Sequence, residues 1–189
     1  YRKDVKLIRT AERKVIEDLD TLPFIDRDIC EEQSYIPLQY RKLPLANMIT
    51  SRGCPYKCAF CFQAGKFGQR HRRQSPKRVI DEIEFLVNKF SIKEIAFWDD
   101  NFLLPKDWVV EFCNSFMKKK LNILWSCLAR VNEVTPQLLK LMHDAGCYSI
   151  FFGLESGVQK LLDNLNKRTT VEQNRMAVKW ANEAGLEVR

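Results

Sequence analysis

From residue 45 onward, apolar runs of strand length alternate with amphipathic stretches. The runs cover residues 45–50, 95–98, 123–127, 148–153 and 186–188. Between them, Val79, Ile80, Ile83, Leu86, Val87 and Phe90 keep the spacing of one helix face, as do Trp108, Val109, Phe112 and Phe116. Leu138, Leu139 and Met142 form a third set, and Met176, Ala177, Trp180 and Ala181 a fourth. The punctuation agrees. Pro76, Pro105 and Pro136 each stand where a first helical residue belongs, since proline lacks an N–H that the first turn would leave unpaired. Gly146 and Gly185 stand where helices should stop. This alternation predicts βαβ units and a parallel sheet. The strands read as continuous apolar runs, as expected of a sheet covered on both faces. Four full units are visible and the chain stops as a fifth strand begins, so the sequence reads as cut at its C-terminal end.

Residues 1–43 follow a different pattern. Charges are dense, apolar residues scattered, and Pro23 and Pro37 break the stretch. A helix is predicted over residues 5–19, with Val5, Ile8, Val15 and Leu19 on one face, followed by an extended connector at 22–26. The predicted organisation is a linker or adaptor over 1–43, following a missing N-terminal domain, and a core domain over 44–189.

Composition narrows the class. With 46% apolar and 29% charged residues in 189, the chain is neither disordered nor of low complexity. No apolar run approaches the roughly 20 residues that a membrane span requires. Seven cysteines are too few for a disulfide scaffold and odd in number, so reduced thiols and a cytoplasmic location are expected. The net charge of +7 suits an anionic ligand without requiring one.

Cys54, Cys58 and Cys61 stand in a C-x3-C-x2-C pattern directly after the first predicted strand. Three thiolates within eight residues of a loop can converge on one metal centre, either zinc or an iron–sulfur cluster. No fourth cysteine lies nearby, which leaves one metal position open for chemistry. A closed zinc site with His71 as fourth ligand is the bland alternative, and chance clustering of inert core cysteines is another. Cys30, Cys113, Cys127 and Cys147 read as buried small hydrophobes.

The three cysteines, with the aromatic Phe60 before the third, resemble the signature of the radical S-adenosylmethionine (radical SAM) superfamily. The resemblance runs from about Leu45 to the end of the chain. It implies a partial (β/α) barrel of the α/β class, here truncated after the start of its fifth strand. It also implies a [4Fe-4S] cluster on Cys54, Cys58 and Cys61, with S-adenosylmethionine (SAM) chelated at the remaining iron and Phe60 at the cofactor. One electron from such a cluster cleaves SAM to a 5′-deoxyadenosyl radical, which abstracts hydrogen from a substrate. The segments 50–55, 97–102 and 153–157 resemble the subgroup with an N-terminal cobalamin-binding domain, and 19–24 resembles the connector that follows it. Cobalamin, with methyl transfer or rearrangement, is thus implied for a full-length protein, although no such domain is present here.

The remaining candidates carry two readings each. Asp99 and Asp100 follow the second strand too early to cap the helix at Pro105. By resemblance one of them contacts the SAM amino group. Arg130, after the third strand, is either a solvated arginine or the partner of the SAM carboxylate. Glu155 ends an apolar run and by resemblance binds the SAM ribose or amino group; otherwise it turns to solvent. Ser156 is its neighbour, or a cap for a short helix at 158–162. The basic run of Lys66, Arg70, His71, Arg72, Arg73, Lys77 and Arg78 reads as a solvated face, with phosphate, nucleic acid or an acidic electron donor as further options. His143 reads as structural, and residues 167–170 as a loop and helix cap. The partners expected are a small-molecule or lipid substrate and a flavodoxin- or ferredoxin-type electron donor. The rival reading is a non-catalytic zinc-binding module with a basic nucleic-acid-binding surface.

Overall fold

A computed structural model describes residues 2–3, 6–7, 9–11, 13–29, 40–62 and 70–189. Cys30 and Lys66 lie outside the described residues. Two short strands, β1 (Arg2–Lys3) and β2 (Lys6–Leu7), pair antiparallel. The central sheet has five parallel strands, β3 (Leu45–Met48), β6 (Glu94–Phe97), β7 (Leu124–Ala129), β8 (Cys147–Phe152) and β9 (Glu187–Val188), in that spatial order. Between β3 and β6 in sequence, β4 (Ser51–Arg52) pairs antiparallel with β5 (Arg72–Arg73). A parallel sheet whose order follows the sequence carries all of its right-handed crossovers on one face, which is half of a (β/α) barrel. The expected α/β fold and its strands are observed.

The crossover helices are α1 (Pro76–Phe90), α2 (Lys106–Lys118), α3 (Pro136–Asp144), α4 (Gln159–Asn164) and α5 (Val171–Glu183). Their ends follow the local chemistry. Ser75 and Thr135 accept hydrogen bonds from the N–H groups of Arg78 and Leu138, one turn in, and Thr170 with Gln173 forms a reciprocal capping box. Pro76 and Pro136 are first helical residues as expected. Pro105 precedes the first turn of α2, which has no side-chain cap. The helices press Val79, Ile83, Val109, Phe112, Leu139, Met142 and Ala177 onto the sheet. Phe97, Phe102, Phe112 and Trp125 form an aromatic cluster there, with ring centroids 4.6–5.8 Å apart.

The two sheet faces differ. Met48, Phe97, Cys127 and Ile150 lie in register in the helix-covered layer, whereas Asn47, Ala96, Ser126 and Ser149 form an adjacent row of small or polar residues. The strands therefore alternate more than continuous apolar runs would, with their smaller residues on the concave side. At the N-terminal edge of the sheet, buried Glu94 accepts the N–H groups of Arg41 and Lys42 and the hydroxyl of Tyr148 at 2.6–2.8 Å. A fully partnered buried carboxylate at that edge serves the fold.

The helix expected over 5–19 does not form. Lys6–Leu7 is a strand, and the described residues between Arg9 and Asp18 contain no helix; only a 3-10 turn follows at Leu19–Thr21. The charges of Arg9, Arg13 and Lys14 leave no continuous apolar face to bury, and Val15 is exposed while Leu19 is buried. Tertiary contacts satisfy the segment instead. Arg72 donates to the Ile16 carbonyl, Arg78 to that of Leu22 at 2.8 Å, and Arg27 to that of Asn47 at 2.7 Å. Phe24 stacks on Phe85 at 5.5 Å between ring centroids, and the Arg78 guanidinium covers its ring at 3.7 Å.

Candidate functional site

The candidate residues gather where the parallel strands end. In a (β/α) architecture the C-terminal strand ends carry the chemistry, because loops there can vary without disturbing the core. Thr50 follows β3, Asp99 and Asp100 follow β6, Arg130 follows β7, and Glu155 with Ser156 follows β8.

The cysteine loop lies across these ends and is fastened from two directions. Cys61 N–H donates to the Cys58 carbonyl at 3.1 Å, turning the loop back on itself. From the segment after α4, the Leu165 carbonyl accepts the Ala59 N–H at 2.8 Å, and Asn166 Nδ2 donates to the Lys57 carbonyl at 2.7 Å. From the end of β7, Arg130 Nη1 donates to Cys58 Sγ at 3.3 Å while its guanidinium lies 3.7 Å over the Tyr56 ring. The Tyr56 hydroxyl donates to buried Glu133. Cys58 is buried, and Cys54 and Cys61 are half-buried. Burial pushes the Cys54 thiol up, against the pull of the Tyr56 N–H and the charge of Arg130. All three are free thiols, as are Cys113, Cys127 and Cys147, which sit in the core. Among the described residues, no three His, Cys, Asp or Glu side chains are arranged as metal ligands. His71 stands half-buried on the approach to β5, and burial, helped by the Arg73 charge, pushes its imidazole down.

Several candidates are placed differently from expectation. Arg130 is buried and not solvated. Its Nε donates to Asn132 at 3.3 Å and its Nη2 to the Lys167 carbonyl, so all three nitrogens are engaged. Asp99 is fully buried. Its carboxylate accepts the N–H and hydroxyl of Thr50 at 3.1 and 2.8 Å and the hydroxyl of Ser51, with Arg73 at 3.9 Å. These bonds, most of them on Oδ1, make Asp99 a brace between strand ends, and Asp100 beside it is exposed. Ser156 Oγ accepts the Val158 N–H at 3.0 Å, a turn ahead of α4. Phe60 is exposed, with the Lys167 ammonium 5.5 Å from its ring centroid.

Glu155 lies in the left-handed region at φ 59 and accepts a 2.7 Å hydrogen bond from Lys167 Nζ. A Cβ at Gly153 would come within 2.8 Å of Glu155 Oε1 and of Lys167 Nζ, the ends of two flexible side chains that would have to shift. Lys167 is the residue that local pattern misses. It is buried, pairs with Glu155, and gives its carbonyl to Arg130, yet it sits in what reads as a loop. Its partners lie up to 37 residues away in the chain, beyond any periodicity.

The basic run is engaged internally. Arg70 pairs with Glu17 at 2.7 Å and Lys77 with Asp81 at 2.5 Å. Arg72 and Arg78 hold the N-terminal segment as described. Arg73 is buried between the Trp108 and Phe102 rings, 3.5 and 4.6 Å from their centroids, and donates to the Leu104 carbonyl at 2.6 Å. Burial pushes its pKa down to about 10 against the pull of Asp99. A cavity of about 580 Å³ opens beside this cluster, between residues 13–16 and the ends of β3 and β6.

Residues 48–189 match the radical SAM superfamily. The chain belongs to the radical SAM superfamily. An uncharacterised methyltransferase of Pyrococcus horikoshii is 33% identical over 98% of this radical SAM chain and 40% of its own length. The anaerobic magnesium-protoporphyrin IX monomethyl ester cyclase of Rubrivivax gelatinosus is 34% identical over 97% of this chain and 33% of its own. The chain thus spans between 33% and 40% of the length of these relatives. Among solved structures, the cobalamin-dependent S-adenosylmethionine radical enzyme OxsB, with aqua-cobalamin and S-adenosylmethionine bound, superimposes with a TM-score of 0.66 at 27% identity. That match covers 76% of this chain and 23% of OxsB. The radical SAM methyltransferase TsrM of Kitasatospora setae shares the fold, with a TM-score of 0.69 at 19% identity over 76% of this chain and 29% of its own. No helix among the described residues is long and apolar enough to cross a membrane.

Proposed function

We propose that this chain is the radical-generating core of a radical SAM enzyme, with Cys54, Cys58 and Cys61 holding a [4Fe-4S] cluster and the strand ends beside them binding SAM. The donor set fits: three free thiols in one loop give the all-sulfur environment that iron–sulfur clusters take. The observation that carries the reading is the fastening of that loop at the C-terminal strand ends by Arg130, Leu165 and Asn166. When bound, the cluster supplies one electron to the SAM sulfonium and so a 5′-deoxyadenosyl radical for hydrogen abstraction.

The chain's own residues then have distinct tasks. Arg130 orients Cys58 through an N–H···S contact. Glu155 presents a carboxylate, held by Lys167, to the amino or ribose groups of SAM. Asp100 offers a second acid after β6. Ser156 fixes the turn that sets the position of Glu155. In the full-length protein, we infer cobalamin-assisted methyl transfer or ring formation on a small molecule, in line with relatives named as methyltransferases and a cyclase. A flavodoxin- or ferredoxin-type donor would supply the electron, and residues 1–43 would link to a preceding domain. The rival zinc and nucleic-acid reading finds no support: the family match lies elsewhere, and Arg72, Arg73 and Arg78 are bound within the chain. The test is chemical. Anaerobically reconstituted protein given dithionite and SAM should yield methionine and 5′-deoxyadenosine, and Cys58→Ala should yield neither. Equal product from both proteins would overturn the proposal.

A further inference from the structure

The cavity beside the cysteine loop opens at the ends of β3 and β6; neither Arg130 nor Glu155 lines it, and Asp100 is the one candidate of the SAM side in its wall. Its wall carries four cationic side chains, Arg13, Lys14, Arg52 and Arg72, against one carboxylate, that of Asp100. Arg72 Nη1 is committed to the Ile16 carbonyl, but its buried Nε has no hydrogen-bond partner among the described residues. Apart from Ser51, whose hydroxyl is given to Asp99, the rest of the wall is apolar. Ile49 is 64% exposed, Val15 51% and Trp98 45%, three large apolar side chains left open around one hollow. The Trp98 indole N–H is already bound to Asn47 Oδ1 at 2.7 Å, so the ring offers a flat apolar surface and no donor. The volume falls within the range of pockets that enclose small ligands. Gly53 lines the cavity immediately before Cys54, and the Asp100 charge acts on the Cys54 thiol.

We propose that this cavity binds a small organic anion with a flat apolar body, its acidic group held by Arg52 and Arg72 and its body lying against Trp98 and Ile49. A molecule seated there borders the cysteine loop, which suits a substrate from which hydrogen is taken. That the anion is the substrate rests on the radical SAM reading; that the cavity binds it does not.

The test is a pair of fluorescence titrations of the full chain. One uses 8-anilinonaphthalene-1-sulfonate, and the other N-phenyl-1-naphthylamine, which keeps the rings and lacks the sulfonate. The sulfonate should bind at least about tenfold more tightly than the neutral dye, since each charge-assisted contact is worth about that factor. Arg52→Gln should remove most of this preference and leave the neutral dye unaffected, whereas Trp98→Ala should weaken both. Arg70→Gln, outside the cavity, should change neither. Arg72→Gln also releases Ile16, so Arg52→Gln is the deciding variant, provided its thermal melting matches that of the parent. Equal affinity for the two dyes, or sulfonate binding that survives Arg52→Gln, would overturn the inference. Dye preference without cluster assembly would instead sink only the radical SAM reading.

Discussion

Arg73 and Arg130 are buried cations with opposite neighbourhoods. Arg73 is closed in by two aromatic rings, two carbonyls and Asp99, and supports the fold. Arg130 reaches a cysteine sulfur and supports the site. His71 belongs with the first. Burial and the Arg73 charge hold its imidazole below the ordinary 6.5, so below that pH the unfolded chain binds more protons than the folded one. Stability is therefore present above pH 6.5 and lost as pH falls, and His71→Gln should flatten this acid limb in a series of urea melts. Glu155 belongs with the second. Glu155→Gln should leave iron content unchanged and weaken SAM binding by roughly 1.5–3 kcal/mol, about ten- to a hundredfold. Glu172→Gln, on the exposed start of α5, is the control, and equal SAM affinity in both variants would return Glu155 to a purely structural role.

At the scale of elements, the strands and crossover helices were legible because each is a local matter: period, cap and stop signal lie within a few residues of one another. Gly146 shows how strict such a signal is. It sits at φ +90, and a Cβ there would come within 2.8 Å of the Ile123 carbonyl oxygen. Gly146→Ala should destabilise the fold by about 1–3 kcal/mol in chemical denaturation, whereas Gly157→Ala, with open space around it, should cost less than about 0.5. The expected helix over 5–19 failed for the converse reason: its amphipathic stripe was thin, and a distant arginine on β5 took the Ile16 carbonyl. The cysteine loop stands out by spacing alone. Lys167, and the inward turn of Asp99, do not, because their partners lie 12 to 49 residues away in sequence.

Across the whole molecule, Arg72 and Arg78 of the basic run join the N-terminal segment to the sheet, while Arg70 and Lys77 stay on the solvated face that the run reads as. Asp20 accepts the Ser75 N–H at 2.8 Å, Arg78 clamps Phe24, and Arg72 holds Ile16, so the segment walls one side of the cavity next to the cysteine loop. Loop, cavity and the acids Asp100 and Glu155 thus share the C-terminal end of one sheet, the layout that the proposed cluster on the loop calls for. The most direct test is iron and acid-labile sulfide analysis of anaerobically reconstituted protein, combined with electron paramagnetic resonance of the reduced form before and after adding SAM. The expected result is iron and sulfide in equal amounts and a spectrum altered by SAM, with all three lost in Cys54→Ala, Cys58→Ala and Cys61→Ala and retained in Cys113→Ala and Cys147→Ala. A colourless protein without sulfide, or iron content indifferent to which cysteine is removed, would contradict it.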